Sequence, residues 1–259
     1  MRALVLLPLL PACVLTAHTE VVEETFDEPI VALDAEVDGG FVEVHAVPCD
    51  DALVGTGCGF VSAELGWTRE RPRLRAEVVD GILEVRGTCS PQARCWVDLF
   101  VDVPPEADAR VRTGSGSITV LDLAGDLDLG SGSGSIDARG GGAVIAEAGS
   151  GSIDVDGATG DLDLETGSGA IDAVGLRGAT ARMHAGSGSV DARFLATPTD
   201  VAVDTGSGSV DLSVPAGVYD LELHAGSGSI ETRGVEDRTG APHRITVDTG
   251  SGSISVVGR

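Results

Sequence analysis

The sequence predicts an all-β protein: a β-solenoid (β-helix) of about eight coils with a β-rich, disulfide-containing N-terminal cap. Three observations carry that expectation. The word Gly-Ser-Gly-Ser-Ile and close variants of it recur eight times after residue 113. Each copy is flanked by apolar/polar alternation of period two, the pattern of a strand with one buried face. Aromatic residues make up 3% of the chain, against 37 glycines. That composition suits a narrow aliphatic interior better than an enzyme core packed around Phe and Trp.

The copies begin at Gly114, Gly132, Gly149, Gly167, Gly186, Gly206, Gly226 and Gly250, spaced 17 to 24 residues apart. Seven keep Gly-Ser-Gly-Ser, and the one at Gly167 ends in Ala170. Runs such as Leu127-Asp128-Leu129 and Leu162-Asp163-Leu164 precede the word, and runs such as Ile153-Asp154-Val155 and Val210-Asp211-Leu212 follow it. Their aliphatic members are expected to point inward and their acids outward. In every copy the last inward residue expected before the word lies seven positions before the first inward residue after it, as in Val111/Ile118, Leu164/Ile171 and Leu223/Ile230. Seven is odd, so a continuous strand would put the two on opposite faces. The phase must break inside the word.

Glycine adopts positive φ without steric penalty and can make that corner. The expected corner residues are Gly114 and Gly116, Gly132 and Gly134, Gly149 and Gly151, Gly167 and Gly169, Gly186 and Gly188, Gly206 and Gly208, Gly226 and Gly228, and Gly250 and Gly252. Eight coils stacked in chain order would stand about 38 Å tall. Extra length falls away from the corner, at 194–200, 214–218 and above all 233–244. One side of the stack is therefore uniform and the other carries loops. Insertions in repeat proteins often collect on a binding face, although tolerated loop drift is the plainer reading.

Ahead of the repeats the chain changes character. Residues 1–12 read as a signal peptide, with Arg2 before the short apolar stretch Ala3 to Ala12. Leu10-Pro11-Ala12-Cys13 has the form of a bacterial lipobox, which implies cleavage before Cys13 and lipid on its sulfur. The alternative is a plain secretory signal with an incidental cysteine, but cleavage at Ala17 would place the large Leu15 at the −3 position. Residues 13–23 are then a lipid-anchor tether, 24–110 a β-rich cap region and 111–259 the solenoid. The cap region holds both tryptophans and four of the five phenylalanines. In an exported chain the remaining cysteines, Cys49, Cys58, Cys89 and Cys95, suggest two disulfides. Of three pairings, Cys49–Cys58 and Cys89–Cys95 is favoured, the latter across a hairpin between two strand-like runs. A zinc site lacks any Cys-x-x-Cys spacing.

The charge balance is extreme: 41 acidic residues against 17 basic ones, all arginine, for a net charge of −24. Such a surface repels phosphate backbones, so nucleic acid is excluded as a partner. Hydrophobic residues at 42% are too many for a disordered acidic chain. No apolar run reaches the length of a membrane-spanning helix.

Several motifs invite chemistry and are weighed against a structural reading. Asp204-Thr205-Gly206-Ser207 and Asp248-Thr249-Gly250-Ser251 resemble the aspartic-protease word, but they lie 44 residues apart, too close for two lobes. Their column, Arg112, Gly130, Glu147, Glu165, His184 and His224 in other copies, reads as solvent-facing. His184 and His224 would sit two coils apart in a chain-order stack, too far to share a metal. The position after the first inward residue is acidic in six copies: Asp137, Asp154, Asp172, Asp191, Asp211 and Glu231. Stacked, these form a carboxylate ladder whose repulsion calcium could relieve. A solvated acidic face is the default, because the nonapeptide calcium repeat is absent. The serine rows fit corner hydrogen bonding better than ice binding, and the Gly-Ser words open strands, so they are not phosphate loops.

Over about residues 24–259 the chain resembles the putative-adhesin domain-of-unknown-function family of bacterial β-strand repeat proteins. The resemblance rests on Gly39-Gly40-Phe41-Val42-Glu43-Val44, on Val101-Asp102-Val103-Pro104-Pro105 and on the Gly-Ser-Gly-Ser-Ile series. It implies a β-solenoid at the cell envelope. It brings no catalytic residue and no cofactor to carry over. The expected protein is a non-enzymatic outer-membrane lipoprotein that presents an interaction surface or serves as a scaffold. Its partners are the membrane, through the lipid, and an envelope protein or surface glycan. The runner-up is a carbohydrate-active β-helix lyase or hydrolase, which needs a groove with basic or paired acidic groups.

Overall fold

The computed structural model describes residues 17–49, 58–90 and 94–259. The signal peptide at 1–12 and Cys13 lie outside the described residues. The N-terminal region supplies β1 (His18–Phe26), β2 (Ala32–Val37), β3 (Val42–Ala46), β4 (Gly59–Trp67), β5 (Arg73–Val79), β6 (Ile82–Thr88) and β7 (Cys95–Val103). From the repeats come β8 (Asp108–Thr113), β9 (Ile118–Leu123), β10 (Leu127–Ser131), β11 (Ile136–Gly140), β12 (Val144–Ala148), β13 (Ile153–Asp156), β14 (Leu162–Thr166) and β15 (Ile171–Leu176). They continue with β16 (Thr180–Ala185), β17 (Val190–Phe194), β18 (Asp200–Ser207), β19 (Val210–Val214), β20 (Gly217–Ala225), β21 (Ile230–Arg233), β22 (Val235–Asp237), β23 (Arg244–Ser251) and β24 (Ile254–Gly258). No helix occurs among the described residues.

The strands form two twelve-stranded sheets. Sheet A runs β1-β4-β7-β3-β9-β11-β13-β15-β17-β19-β24-β21, and sheet B runs β22-β20-β23-β18-β16-β14-β12-β10-β8-β2-β6-β5. Each Gly-Ser word is the corner at which the chain leaves sheet B and enters sheet A. Repeat pairings are parallel and in register, so Ile118, Ile136, Ile153, Ile171, Val190, Val210 and Ile254 line up strand to strand. All seven are at most 1% exposed. The core lies between the sheets, and fully burying one such side chain stabilises by about 1.5–3 kcal/mol. Gly39-Gly40 makes the same kind of corner between β2 and β3: Ala35 pairs with Val111 and Val42 with Ile118. The N-terminal region therefore contributes a layer of the repeat design, while antiparallel β1, β4 and β5 close its outer end. β1 begins within the segment read as a tether, and the boundary placed at residues 110 and 111 runs through β8.

Four expectations need correction. The inward alternation runs one step further than Val111 and its equivalents, to Thr113, Ser131, Ala148, Thr166, Ala185, Thr205 and Thr249, all at most 5% exposed. Hydroxyls in this column are satisfied across layers. Thr166 Oγ1 donates to the Gly151 carbonyl at 2.8 Å and accepts from the Gly169 N–H at 3.0 Å. Thr113, Ser131, Thr205 and Thr249 donate in the same way to Gly40, Gly116, Gly188 and Gly208. The first serine of every word is instead exposed.

Second, positive φ is not the general reason for corner glycine. Only Gly116, Gly228 and Gly252 of the sixteen have it, at 153°, 144° and 155°. Close approach is the reason. A Cβ on Gly169 or Gly208 would press on the carbonyl oxygen of Gly151 or Gly188 in the layer below, well under 3 Å away. The second glycine of each word is the tighter of the two.

Third, the layers do not stack in chain order. β23 pairs with β18 on one side and β20 on the other, and β24 lies between β19 and β21. The last repeat is thus inserted beneath the one before it. Fourth, the Cys89–Cys95 disulfide, with Cα atoms 6.0 Å apart, does not cross a hairpin. β6 and β7 belong to opposite sheets, and the bridge pinches an enlarged corner in which Val85 and Leu99 stand fourteen positions apart rather than seven. Cys49 and Cys58 flank residues 50–57, which lie outside the described residues.

Candidate functional site

With an aliphatic interior, the chemistry of this molecule lies on its outer faces. Along sheet A, strand register places Asp137, Asp154, Asp172, Asp191 and Asp211 side by side. The inserted β24 puts Ser255 next in the row, between Asp211 and Glu231, so Glu231 does not continue the ladder as expected. Partial burial, and then the charges of Asp172 and Asp137, raise the pKa of Asp154 above the ordinary carboxylate value. Burial, then Asp172 and Asp211, do the same for Asp191, with Arg259 opposing. Among the described residues, no three His, Cys, Asp or Glu side chains converge on a point that would hold a metal ion.

The ladder sets a pH dependence. A carboxylate with a raised folded-state pKa binds its proton more readily in the folded chain, so its ionisation at neutral pH opposes folding. The stability it withholds returns as pH falls through the raised value and is complete below the ordinary 3.8. Thermal melts should therefore rise between pH 7 and the mildly acidic range. The double variant Asp154→Asn/Asp191→Asn should be more stable than the parent at pH 7 and show a flatter profile.

Sheet B carries a different row. The inserted β23 brings His184, Asp204, Asp248 and His224 onto four adjacent strands. His184 Nδ1 lies 2.9 Å from Asp204 Oδ1. His184 and His224 are consequently three layers apart, not two, and the two Asp-Thr-Gly words are direct neighbours. Asp204 and His184 are open to solvent, without the enclosure a carboxylate pair needs to share a proton. The column's N-terminal part borders a groove of about 730 Å³ above the corner glycines, with Glu36, Arg112, Glu147 and Glu165 on its wall. Arg112 lies across Gly130 and donates to the Asp128 carbonyl at 2.7 Å and to the Asp128 carboxylate, which fixes its guanidinium on the protein itself.

The feature that sequence reasoning missed is on the outer face of sheet A, at β4, β7 and β3. Buried Val97, Leu99, Val101 and Val103 alternate with outward Trp96, Asp98, Phe100 and Asp102. The same phase turns Phe60, Ser62 and Glu64 outward on β4, and Glu43 and His45 on β3. Phe41 meets Phe100 edge-to-face with ring centroids 5.1 Å apart, and Phe60 sits diagonally from Phe100 through the Ser62/Phe100 and Phe60/Asp102 pairs. Trp96 has a structural task, since its ring covers Gly66 on the neighbouring strand.

Polar groups frame the three phenylalanines. Asp98 Oδ1 accepts the Phe41 N–H at 3.1 Å. His45 Nε2 is 2.7 Å from Glu43 Oε1, and its Nδ1 is 3.6 Å from Asp102 Oδ1. Burial raises the pKa of Asp98 and of Asp102, opposed by the Phe41 N–H in the first case and by His45 in the second. The alternation Trp-Val-Asp-Leu-Phe-Val-Asp does carry the signal, because it puts Phe100 on the charged phase.

Two parallel sheets joined by stacked glycine corners define a β-repeat scaffold of the solenoid class. The chain belongs to the Toastrack DUF4097 family, whose model matches residues 107–257, more than half of its length. Its fold is similar to that of a putative adhesin from Bacteroides fragilis NCTC 9343, with a TM-score of 0.51 at 11% identity over 92% of this chain and 97% of that one. A putative adhesin from Parabacteroides distasonis ATCC 8503 has a TM-score of 0.47 at 13% identity, over 92% and 97% of the two chains. A putative lipid binding protein from the same organism has a TM-score of 0.46 at 15% identity, over 92% and 96%. Among curated proteins none matches the chain.

Proposed function

We propose that this protein is a non-enzymatic, adhesin-like lipoprotein of the bacterial cell envelope. Its leader at 1–12 directs export, lipid on Cys13 holds it at the outer membrane, and its β stack presents an interaction surface to a surface glycan. One observation carries the reading. In a molecule whose core is built almost wholly from aliphatic residues, Phe41, Phe60 and Phe100 gather on the outer face of sheet A, among carboxylates and a histidine. Apolar rings beside hydrogen-bond acceptors, Phe100 exposed and Phe41 and Phe60 half-buried, suit the apolar faces and hydroxyls of sugars. The net charge of −24 directs the choice to neutral or amino-bearing glycans. The Cys89–Cys95 bridge holds the corner from which β7 starts, and a Cys49–Cys58 bridge would close the segment between β3 and β4, so both support the strands beneath the patch.

Binding of the mature chain, made soluble by Cys13→Ser, to a panel of neutral, amino-bearing and acidic glycans tests this reading. Neutral or amino-bearing members should bind, and Phe100→Ala and Phe41→Ala should each weaken binding about tenfold, while Asp137→Asn in the ladder should not. Binding that ignores both phenylalanine variants, or a panel without a ligand, would overturn it.

A further inference from the structure

We infer that the C-terminal end of the β stack is an interface that pairs with the same end of a second copy of this chain. The observation is a break in an otherwise constant column. The first inward residue after the corner is at most 1% exposed in seven repeats, but Ile230, its equivalent in β21, is 46% exposed. Across the stack Leu221 and Leu223 are only half-buried, whereas Leu127 and Leu129 in the equivalent column are 2% and 0% exposed. These are core residues by pattern, left open because among the described residues no further layer covers theirs.

Backbone pairing ends at the same place. Among the described residues β21 pairs with β24 alone, and β20 has one strand neighbour along Leu221–Ala225. A partial lid exists: β22 pairs with Gly217–Tyr219, and Asp237 Oδ1 accepts the Leu221 N–H at 3.2 Å. It leaves Leu223 and Ile230 open. Unpaired strand edges beside exposed aliphatics are a template for another chain, which natural sheets usually block.

The opposite end shows such a block. There the edge strands carry charged residues, Glu20, Glu23 and Glu24 on β1 and Arg73, Arg75 and Glu77 on β5. β4 and β5 run antiparallel to the stack, and Arg71 Nε and Nη2 donate to Glu20 at 2.7 and 2.9 Å.

Charge identifies the occupant. The chain as a whole carries −24, yet the end layer, residues 217–244, holds five acids, Asp220, Glu222, Glu231, Glu236 and Asp237, against three arginines, Arg233, Arg238 and Arg244. This end carries only about −2 of that charge, so two copies meet here with little of the repulsion that pairing their acidic sheet faces would bring. Each also offers the other what its open section lacks: aliphatic inward residues and free strand edges at strand spacing. Because the same surface is used by both copies, the contact closes on itself about a two-fold axis and produces a dimer rather than a fibre.

Sedimentation equilibrium of the mature Cys13→Ser protein at micromolar to tens of micromolar concentration tests this. The parent should give twice the chain mass, and Ile230→Asp and Leu223→Asp should each give a single chain. Ile230 is already open in the isolated chain, so Ile230→Asp should keep the thermal midpoint of a folded monomer and decides the matter even if Leu223→Asp folds poorly. A parent that is monomeric throughout, or an Ile230→Asp variant that stays dimeric, would overturn the inference.

Discussion

Gly169→Val and Gly208→Val should each destabilise the protein by about 3 kcal/mol or more, near the upper end of what overpacking costs. The new Cβ would meet a backbone carbonyl rather than a side chain that could swing aside. The layers must then separate locally, which strains the hydrogen bonds on both sides of the corner. A graded series in one corner separates the causes. Gly167→Val also faces a carbonyl, but a slightly more distant one. Thr166→Val leaves the Gly151 carbonyl and the Gly169 N–H without the hydroxyl that joins them, at about 1–3 kcal/mol. Ser168→Ala touches an exposed side chain and should stay within about 0.5 kcal/mol of the parent. Thermal or urea melts give the order directly. A Gly169→Val protein that melts like Ser168→Ala would mean that the corners are not packed carbonyl to Cα.

Removing residues 244–259 should be far more damaging than trimming an end layer. β23 and β24 are the shared neighbours of β18 and β20 and of β19 and β21. Their loss takes Ile245, Val247, Ile254 and Val256 out of the core, each at most 1% exposed. It also strands β20 and β21 with no neighbouring layer. The expected loss is on the order of 5 kcal/mol or more, with rapid proteolysis throughout residues 217–243. In a chain-order stack the same truncation would remove one edge layer, and the shortened protein would keep most of its stability. Limited proteolysis alongside a melt distinguishes the two.

Strand content, phase and the corner were legible in the sequence because each depends on local periodicity. Ile153 and Asp154 show which face is which without knowledge of what pairs with them. The order of the layers was not legible, because strands with the same alternation are interchangeable as neighbours. Two hints existed. The identical run Val-Asp-Thr-Gly-Ser-Gly-Ser at 203–209 and 247–253 belongs to strands that pair in register. The longest connection, 233–244, is the one that must pass across a layer. The corner glycines were found for the wrong physical reason, since a sequence does not distinguish a positive φ from a close approach. Strand-like runs on either side of Cys89 and Cys95 look the same whether they pair or turn into opposite sheets. For the candidate surface, the acidic ladder could be read directly. The phenylalanine patch required β4 to be placed beside β7, an antiparallel contact across a long segment that no periodicity encodes.

The inserted last layer also constrains the order in which the molecule can assemble. In a chain produced from its N-terminus, every repeat through β19 can settle on a neighbour already in place. β20 and β21 cannot, because the layer they rest on follows them in the sequence. Joining Val203 to Val247 closes a span of 44 residues, against 20 for Val203 and Met183, and more distant closures are slower. The final step is therefore a wedge entering between two segments that emerged earlier. Until 244–258 arrive, Leu221 and Leu223 have no partner strand on either side. A nascent or translocating chain thus stays recognisable to chaperones and proteases as incompletely layered until residues 244–258 have appeared and taken their place between β18 and β20 and between β19 and β21.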